Sequence, residues 1–251
     1  MSHTVTDARD AACYESYQGD HPELGAWDSV VEPGETYMVL GNSIAHLLYN
    51  RDYTVILGRA VVTYGVPHVA EQWQVAQASI QKLLGICEVL DSDGITLYTP
   101  QANAEAKPHF HCYESVTTRM LPSVLAEHQP LGEINLALSL QTALAQFFRR
   151  KSEGKTKPNG EIILVLFDGE PGNRMGIVRA IADASHHVKD SSELGIGLLQ
   201  IGESPIATGF FSLLDDDLRL AGATSDLVKF SQIASLNEDS LTEFLTQIIT
   251  A

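Results

Sequence analysis

Apolar positions along this chain fall into two alternating patterns, short continuous runs and longer stripes spaced by three or four residues. Tyr53-Thr54-Val55-Ile56-Leu57 is a β-branched-rich run that stops at Gly58, as expected of a strand buried on both faces of a parallel sheet. Downstream, Val69, Trp73, Ala76, Ile80, Leu83, Leu84 and Cys87 recur at helical spacing with Glu and Gln between them, which predicts an amphipathic helix over residues 69–90. Asp91-Ser92-Asp93-Gly94 marks a turn and residues 95–99 the next strand, with a short strand or hairpin over residues 107–116.

The alternation continues to the end of the sequence. A helix is predicted over residues 132–150, with Leu136, Leu140, Ala143, Leu144 and Phe147 inward, then the most strand-like run of all, residues 161–167, halted at Asp168-Gly169-Glu170-Pro171. Helix 173–189, strand 195–201, helix 205–214, strand 226–230 and helix 237–249 follow. Such alternation points to an α/β fold whose mostly parallel sheet is covered on both sides by helices. Residues 1–49 carry weak signals and read as a partly irregular N-terminal arm; residues 50–251 read as one domain.

Composition narrows the function more than the fold. A formal charge of −16, with no basic patch beyond Arg149-Arg150-Lys151 at a helix end, speaks against a nucleic-acid partner. There is no apolar run of membrane-spanning length and no charged-then-apolar leader, so a soluble cytoplasmic protein without a membrane partner is expected. Cys13, Cys87 and Cys112 are odd in number and widely spaced, suggesting neither a disulfide framework nor a CxxC site, and a reducing compartment fits.

In open α/β sheets ligands gather beyond the carboxyl ends of the strands, which directs attention to residues 58–63 and to Asp168 and Glu170. His109 and His111 share one face of a strand beside Cys112 and could contribute to a zinc site, although no second ligand pair at matching spacing accompanies them. Asp168, Glu170 and Asp215-Asp216-Asp217 could supply paired carboxylates for acid/base chemistry, but the run at 215–217 reads as a solvated turn. No Gly-x-Ser-x-Gly elbow and no phosphate-cradling glycine loop with a following Lys-Ser or Lys-Thr occurs.

Taken as a set, Tyr53–Leu57, Asp91-Ser92-Asp93-Gly94-Ile95-Thr96-Leu97-Tyr98, Pro130-Leu131-Gly132, Asn159–Val165, Asp168-Gly169-Glu170-Pro171, Gln200-Ile201-Gly202 and Leu214-Asp215-Asp216-Asp217-Leu218 make the sequence resemble bacterial proteins with a von Willebrand factor type A domain, from about residue 50 to residue 251. The resemblance implies a Rossmann-like three-layer sandwich with a metal-ion-dependent adhesion site at its carboxyl edge. In that family the site is built from an Asp-x-Ser-x-Ser motif, a Thr and an Asp. Carried over, the motif falls on Gly58, Ala60 and Val62, the Thr on Ile134, and the last Asp on Asp168.

Only Asp168 keeps an oxygen. Mg²⁺ requires near-octahedral oxygen ligation and dehydrates reluctantly, so one carboxylate is expected to hold it poorly, and no metal or other cofactor is expected. Arg59 is expected to pair with Asp168 in the cation's stead. Val61, Val62, Tyr64 and Val66 either form a partner surface with Arg59, Asp168 and Glu170 or fill the vacated pocket. The expected function is a non-enzymatic protein–protein interaction module, a scaffold or assembly subunit whose partner is another protein, a second copy or a related domain. The alternative is Mg²⁺-assisted capture of an acidic protein ligand through Asp168 and recruited residues; a hydrolase is third.

Overall fold

The computed structural model of the chain describes residues 45–59, 69–101, 110–127, 133–236 and 238–250. Six strands form one sheet in the order β3-β2-β1-β4-β5-β6, with β1 Asp52–Arg59, β2 Ile95–Pro100, β3 Phe110–Val116, β4 Glu161–Asp168, β5 Leu194–Ile201 and β6 Val228–Gln232. All neighbours pair in parallel except β2 and β3, which run antiparallel at one edge. The helices are α1 Val69–Leu90, α2 Leu121–Ala126, α3 Leu136–Ser152, α4 Arg174–Ser185, α5 Pro205–Asp216 and α6 Glu238–Ile249.

The three-layer arrangement follows from the way successive side chains leave a strand on opposite faces. In β1, Ile56 joins a core shared with α3, α4 and α5, while Tyr53, Val55 and Leu57 join the core under α1, α2 and α6. Gly195 and Gly197 bring α6 close to β5: a Cβ at Gly195 would lie 2.3 Å from Ile248 Cγ2, and one at Gly197 2.6 Å from Ile248 Cδ1. The expected α/β class, with a mostly parallel sheet between helical layers, is the observed one.

Three local features depart from the expectation. First, β1 does not stop at Gly58; it runs on to Arg59, because Phe167 and Asp168 of β4 continue the ladder opposite Gly58 and Arg59. Second, α2 is a six-residue helix too short to leave a periodic signal. Third, α4 ends at Ser185 instead of residue 189, where Thr224 clamps it: the Thr224 N–H donates to Ser185 Oγ at 2.9 Å and the Thr224 hydroxyl to the Ser185 carbonyl at 2.7 Å.

Charge is concentrated at the amino edge of the central strands. Arg51, fully buried, donates to the carbonyls of Leu47 at 3.1 Å and Ser192 at 2.6 Å; burial lowers its pKa to about 10, which leaves it protonated at neutral pH. Glu161, also buried, pairs with Arg150 and accepts from the Thr54 hydroxyl at 2.6 Å. These bonds tie the start of β1 to β4 and to the approach to β5. Residues 45–49, assigned by the sequence to the arm, pack on the domain through Leu48, whose carbonyl accepts from the Tyr53 hydroxyl at 2.7 Å.

Candidate functional site

The carboxyl edge is assembled from the ends of β1, β4 and β5 and the first turns of α4 and α5. Gly169 and Gly202, with φ of +81° and +77°, each follow the last residue of a strand and turn the chain out of the sheet in a conformation that favours glycine. Asn173 and Ser204 cap the helices that follow, accepting from the amides of Gly176 and Ala207 at 3.0 and 3.4 Å. The edge is therefore rigidly framed, with Asp168 at its centre.

Gly58 and Ile134, far apart in sequence, meet here. Ile134 is buried at 6% exposure, and its backbone N–H donates to the Arg59 carbonyl at 3.2 Å, while Glu133 extends the sheet beside Arg59 as a parallel bridge. A Cβ placed on Gly58 would lie 2.0 Å from Ile134 Cγ2 and 2.8 Å from its Cβ. These atoms sit close to the backbone and cannot swing clear as a long side chain would. The space a side chain at position 58 would enter is already filled with hydrocarbon.

Asp168 lies opposite Arg59 in the ladder and is half-buried. Loss of hydration on burial raises its pKa, and two weaker influences oppose the rise: the positive charge of Arg59 and a hydrogen bond from the Gly169 backbone N–H. Arg59 is half-buried, and its Nε makes no hydrogen bond. The pair expected from the sequence is thus a neighbouring of charges on adjacent strands. Glu170 is exposed and pairs with Arg174, whose guanidinium lies 5.4 Å from the Phe210 ring centroid.

Ala60, Val61, Val62, Tyr64 and Val66 lie outside the described residues, as does His109. His111 is half-buried on β3 with its ring 5.9 Å from that of Tyr113, and Cys112 is disulfide-bonded, so its sulfur is not a free thiolate for zinc. That bond runs against the reducing compartment suggested by the odd, widely spaced cysteines; Cys87 remains a buried thiol, its pKa raised by burial. Asp215 is not in a solvated turn. In the last turn of α5 it accepts from the Phe230 amide at 3.0 Å and from Lys229 Nζ at 3.1 Å, so it pins α5 to the edge strand β6.

Among the described residues one acidic trio has ligand atoms close enough to share an ion: Asp52, Asp91 and Asp93, all at the amino edge, opposite Asp168. Lys157 occupies it, with Nζ 3.4 Å from Asp52 and 2.8 Å from Asp93 and in contact with Asp91. Asp91 has its pKa raised to about 6 by burial, against the pull of Lys157.

Sequence inspection missed the apolar rim of the carboxyl edge. Met175 and Ile206, in the first turns of α4 and α5, are 58% and 59% exposed. The available signal was their position off the inward stripes that contain Ile177, Ile181, Ala207 and Phe211.

No protein-family model matches the chain, and no curated protein matches it in sequence. Solved structures similar in fold include the manganese-loaded TRAP protein of Plasmodium vivax, at 10% identity and TM-score 0.48 over 80% of this chain and 74% of that one. The pilus adhesin SpaC of Lactobacillus rhamnosus GG, in its open conformation, matches at 8% identity and TM-score 0.49 over 80% of this chain and 30% of that one. Proximal thread matrix protein 1 of the mussel byssus matches at 14% and 0.42, over 80% and 47%. No helix among the described residues is long and apolar enough to cross a membrane.

Proposed function

We propose that this chain is a non-enzymatic protein–protein interaction module, a scaffold or assembly subunit on a von Willebrand factor A-like frame that works without the family's metal. The observation that carries the reading is the interlock of Gly58 and Ile134: two of the five positions that the resemblance assigns to ligands are occupied by a glycine and by the isoleucine that fills its side-chain space. Of the assigned positions that are described, only Asp168 offers a side-chain oxygen, and Mg²⁺ gains little from a single carboxylate. Binding of another protein then falls to Val61, Val62, Tyr64 and Val66 together with Arg59, Asp168 and Glu170. The disulfide at Cys112 weighs against the cytoplasmic setting that the sequence suggests.

Affinity capture from native cells, in EDTA and with a Val62→Asp, Tyr64→Asp variant alongside, tests this function. A partner retained in EDTA and lost from the variant is the expected result. A partner released by EDTA and restored by Mg²⁺ supports instead the metal-assisted capture of an acidic ligand through Asp168.

A further inference from the structure

Helix α5 is apolar on the side it turns away from the core as well as on the side it buries. Ala207, Phe210, Phe211 and Leu214 face inward, which on an ordinary surface helix leaves the outer positions polar. Here residues 205–214 carry no charge, and every exposed position before Asp216 is apolar or glycine: Pro205, Ile206, Gly209 and Leu213. Ile206 is 59% and Leu213 50% exposed. At spacings of three and four residues, Ile206, Gly209 and Leu213 line up along one side of the helix.

Gly209 is the informative residue of this stripe. Glycine in a helix interior is destabilising relative to alanine, and its usual reasons are an unusual backbone angle or a close approach by another group. Gly209 lies within ordinary helix, and a Cβ added there would meet no atom within 4 Å, so nothing inside the chain requires a residue so small. Ile206, Gly209, Phe210 and Leu213 stand at i, i+3, i+4 and i+7, the four corners of the hole that receives a side chain from a facing helix. Glycine at one corner and the buried Phe210 at another make that hole deep.

Charge selects the occupant. Glu203 lies just before α5 and Asp216 and Asp217 at its end, about 20 Å away along the axis, all exposed and without an ion pair among the described residues. Over residues 203–219 the only cation is the exposed Arg219, while Lys229 is taken by Asp215 and Asp226 and Arg174 by Glu170. A second copy of the chain would bring like carboxylates together and carries the same charge of −16. We infer that the outer face of α5 docks a basic amphipathic helix of a partner protein. One apolar side chain of that helix enters the hole over Gly209, and a Lys or Arg near each end of its apolar stripe meets Glu203 and the Asp216-Asp217 pair. This surface is additional to the residues assigned above and does not depend on whether a metal binds.

The probe is a phage-displayed library of random octadecapeptides selected on the immobilised full chain, with the enriched families then measured on three variants. The inference expects a family with apolar residues at three- and four-residue spacing and Lys or Arg near both ends. Its affinity should fall by about tenfold or more in Gly209→Gln, which fills the hole, and likewise in Ile206→Ser with Leu213→Ser. Gly209→Gln should keep or raise the thermal midpoint, so that its loss of binding is not loss of fold. Val75→Ser, which removes an exposed apolar residue from α1 on the other side of the sheet, should leave the affinity within about twofold. The absence of any enriched family sensitive to Gly209→Gln, or a sensitive family that is acidic, overturns the inference. So does a dimer in sedimentation velocity that Gly209→Gln dissolves, since a second copy would then be the occupant. The reading of the carboxyl-edge residues fails by a different result, a partner indifferent to Val62→Asp with Tyr64→Asp.

Discussion

Gly58 and Ile134 act as one unit, and a pair so close has a measurable coupling. Adding a methyl at Gly58 places carbon 2.0 Å from Ile134 Cγ2, so Gly58→Ala alone should destabilise the chain by about 1–3 kcal/mol, the usual cost of overpacking. Ile134→Ala alone leaves a void and should cost about 2–5 kcal/mol. In the double variant the new methyl enters the space that the lost side chain vacated, so denaturant unfolding should show less destabilisation than the two single changes added together, by about 1 kcal/mol or more. Strict additivity would mean that the residues do not interlock. The absence of oxygen at both positions was legible from sequence once the resemblance aligned them. Their contact was not, because it depends on a loop returning to the end of β1 from more than seventy residues away.

A second local test concerns Asp91, which shares Lys157 with Asp52 and Asp93. Its folded pKa, about 6, is raised above the unfolded value. The folded state therefore holds the proton more tightly than the unfolded state, and this group's contribution to stability is greatest below the unfolded pKa and declines as pH rises towards about 6. Carboxyl ¹³C titration should place the Asp91 midpoint near 6, and Lys157→Met, which removes the opposing cation, should move it higher. A midpoint that stays put or falls in the variant would show that Lys157 does not hold the trio.

Helices were read from the sequence by their apolar stripes, and their first residues were read less closely where a side-chain cap decides them. Asn135 illustrates this, since its side chain accepts from the Leu138 amide at 3.1 Å and fixes the start of α3 at Leu136, four residues after the position suggested by Gly132. Asn135→Ala should lower stability by about 1 kcal/mol in thermal or chemical unfolding, the ordinary worth of an N-cap, and an unchanged transition would remove the cap from this account. Sequence reading failed where tertiary bonds decide the outcome. β1 gains two residues at its carboxyl end because β4 offers a ladder to extend along, and α4 loses its last turn because Thr224 takes over the polar groups of Ser185. Neither cause is adjacent in sequence to its effect. Asp215 was misread for the same reason, as its partners Lys229 and Phe230 sit on the next strand.

Across the whole molecule, charge is divided by role between the two ends of the sheet. The amino edge is cross-linked: Arg150 with Glu161, Lys157 with the acidic trio, Lys151 with Glu193. There the charges join strands to loops and are largely satisfied. At the carboxyl edge Asp168 has its pKa raised by lost hydration, and Met175 and Ile206 are exposed in the first turns of two helices that start there. The core was readable in the chain's periodicity, whereas this division was not, because it arises from which loops the topology gathers at each end.

The loss of the metal is the claim on which the rest depends, and titration calorimetry of the full chain with Mg²⁺, Mn²⁺ and Ca²⁺ addresses it directly. Saturable binding tighter than about 0.1 mM should be absent for all three ions, since even weak extracellular calcium sites reach that range with several carboxylates. A site of that affinity which disappears in Asp168→Ala would contradict the account.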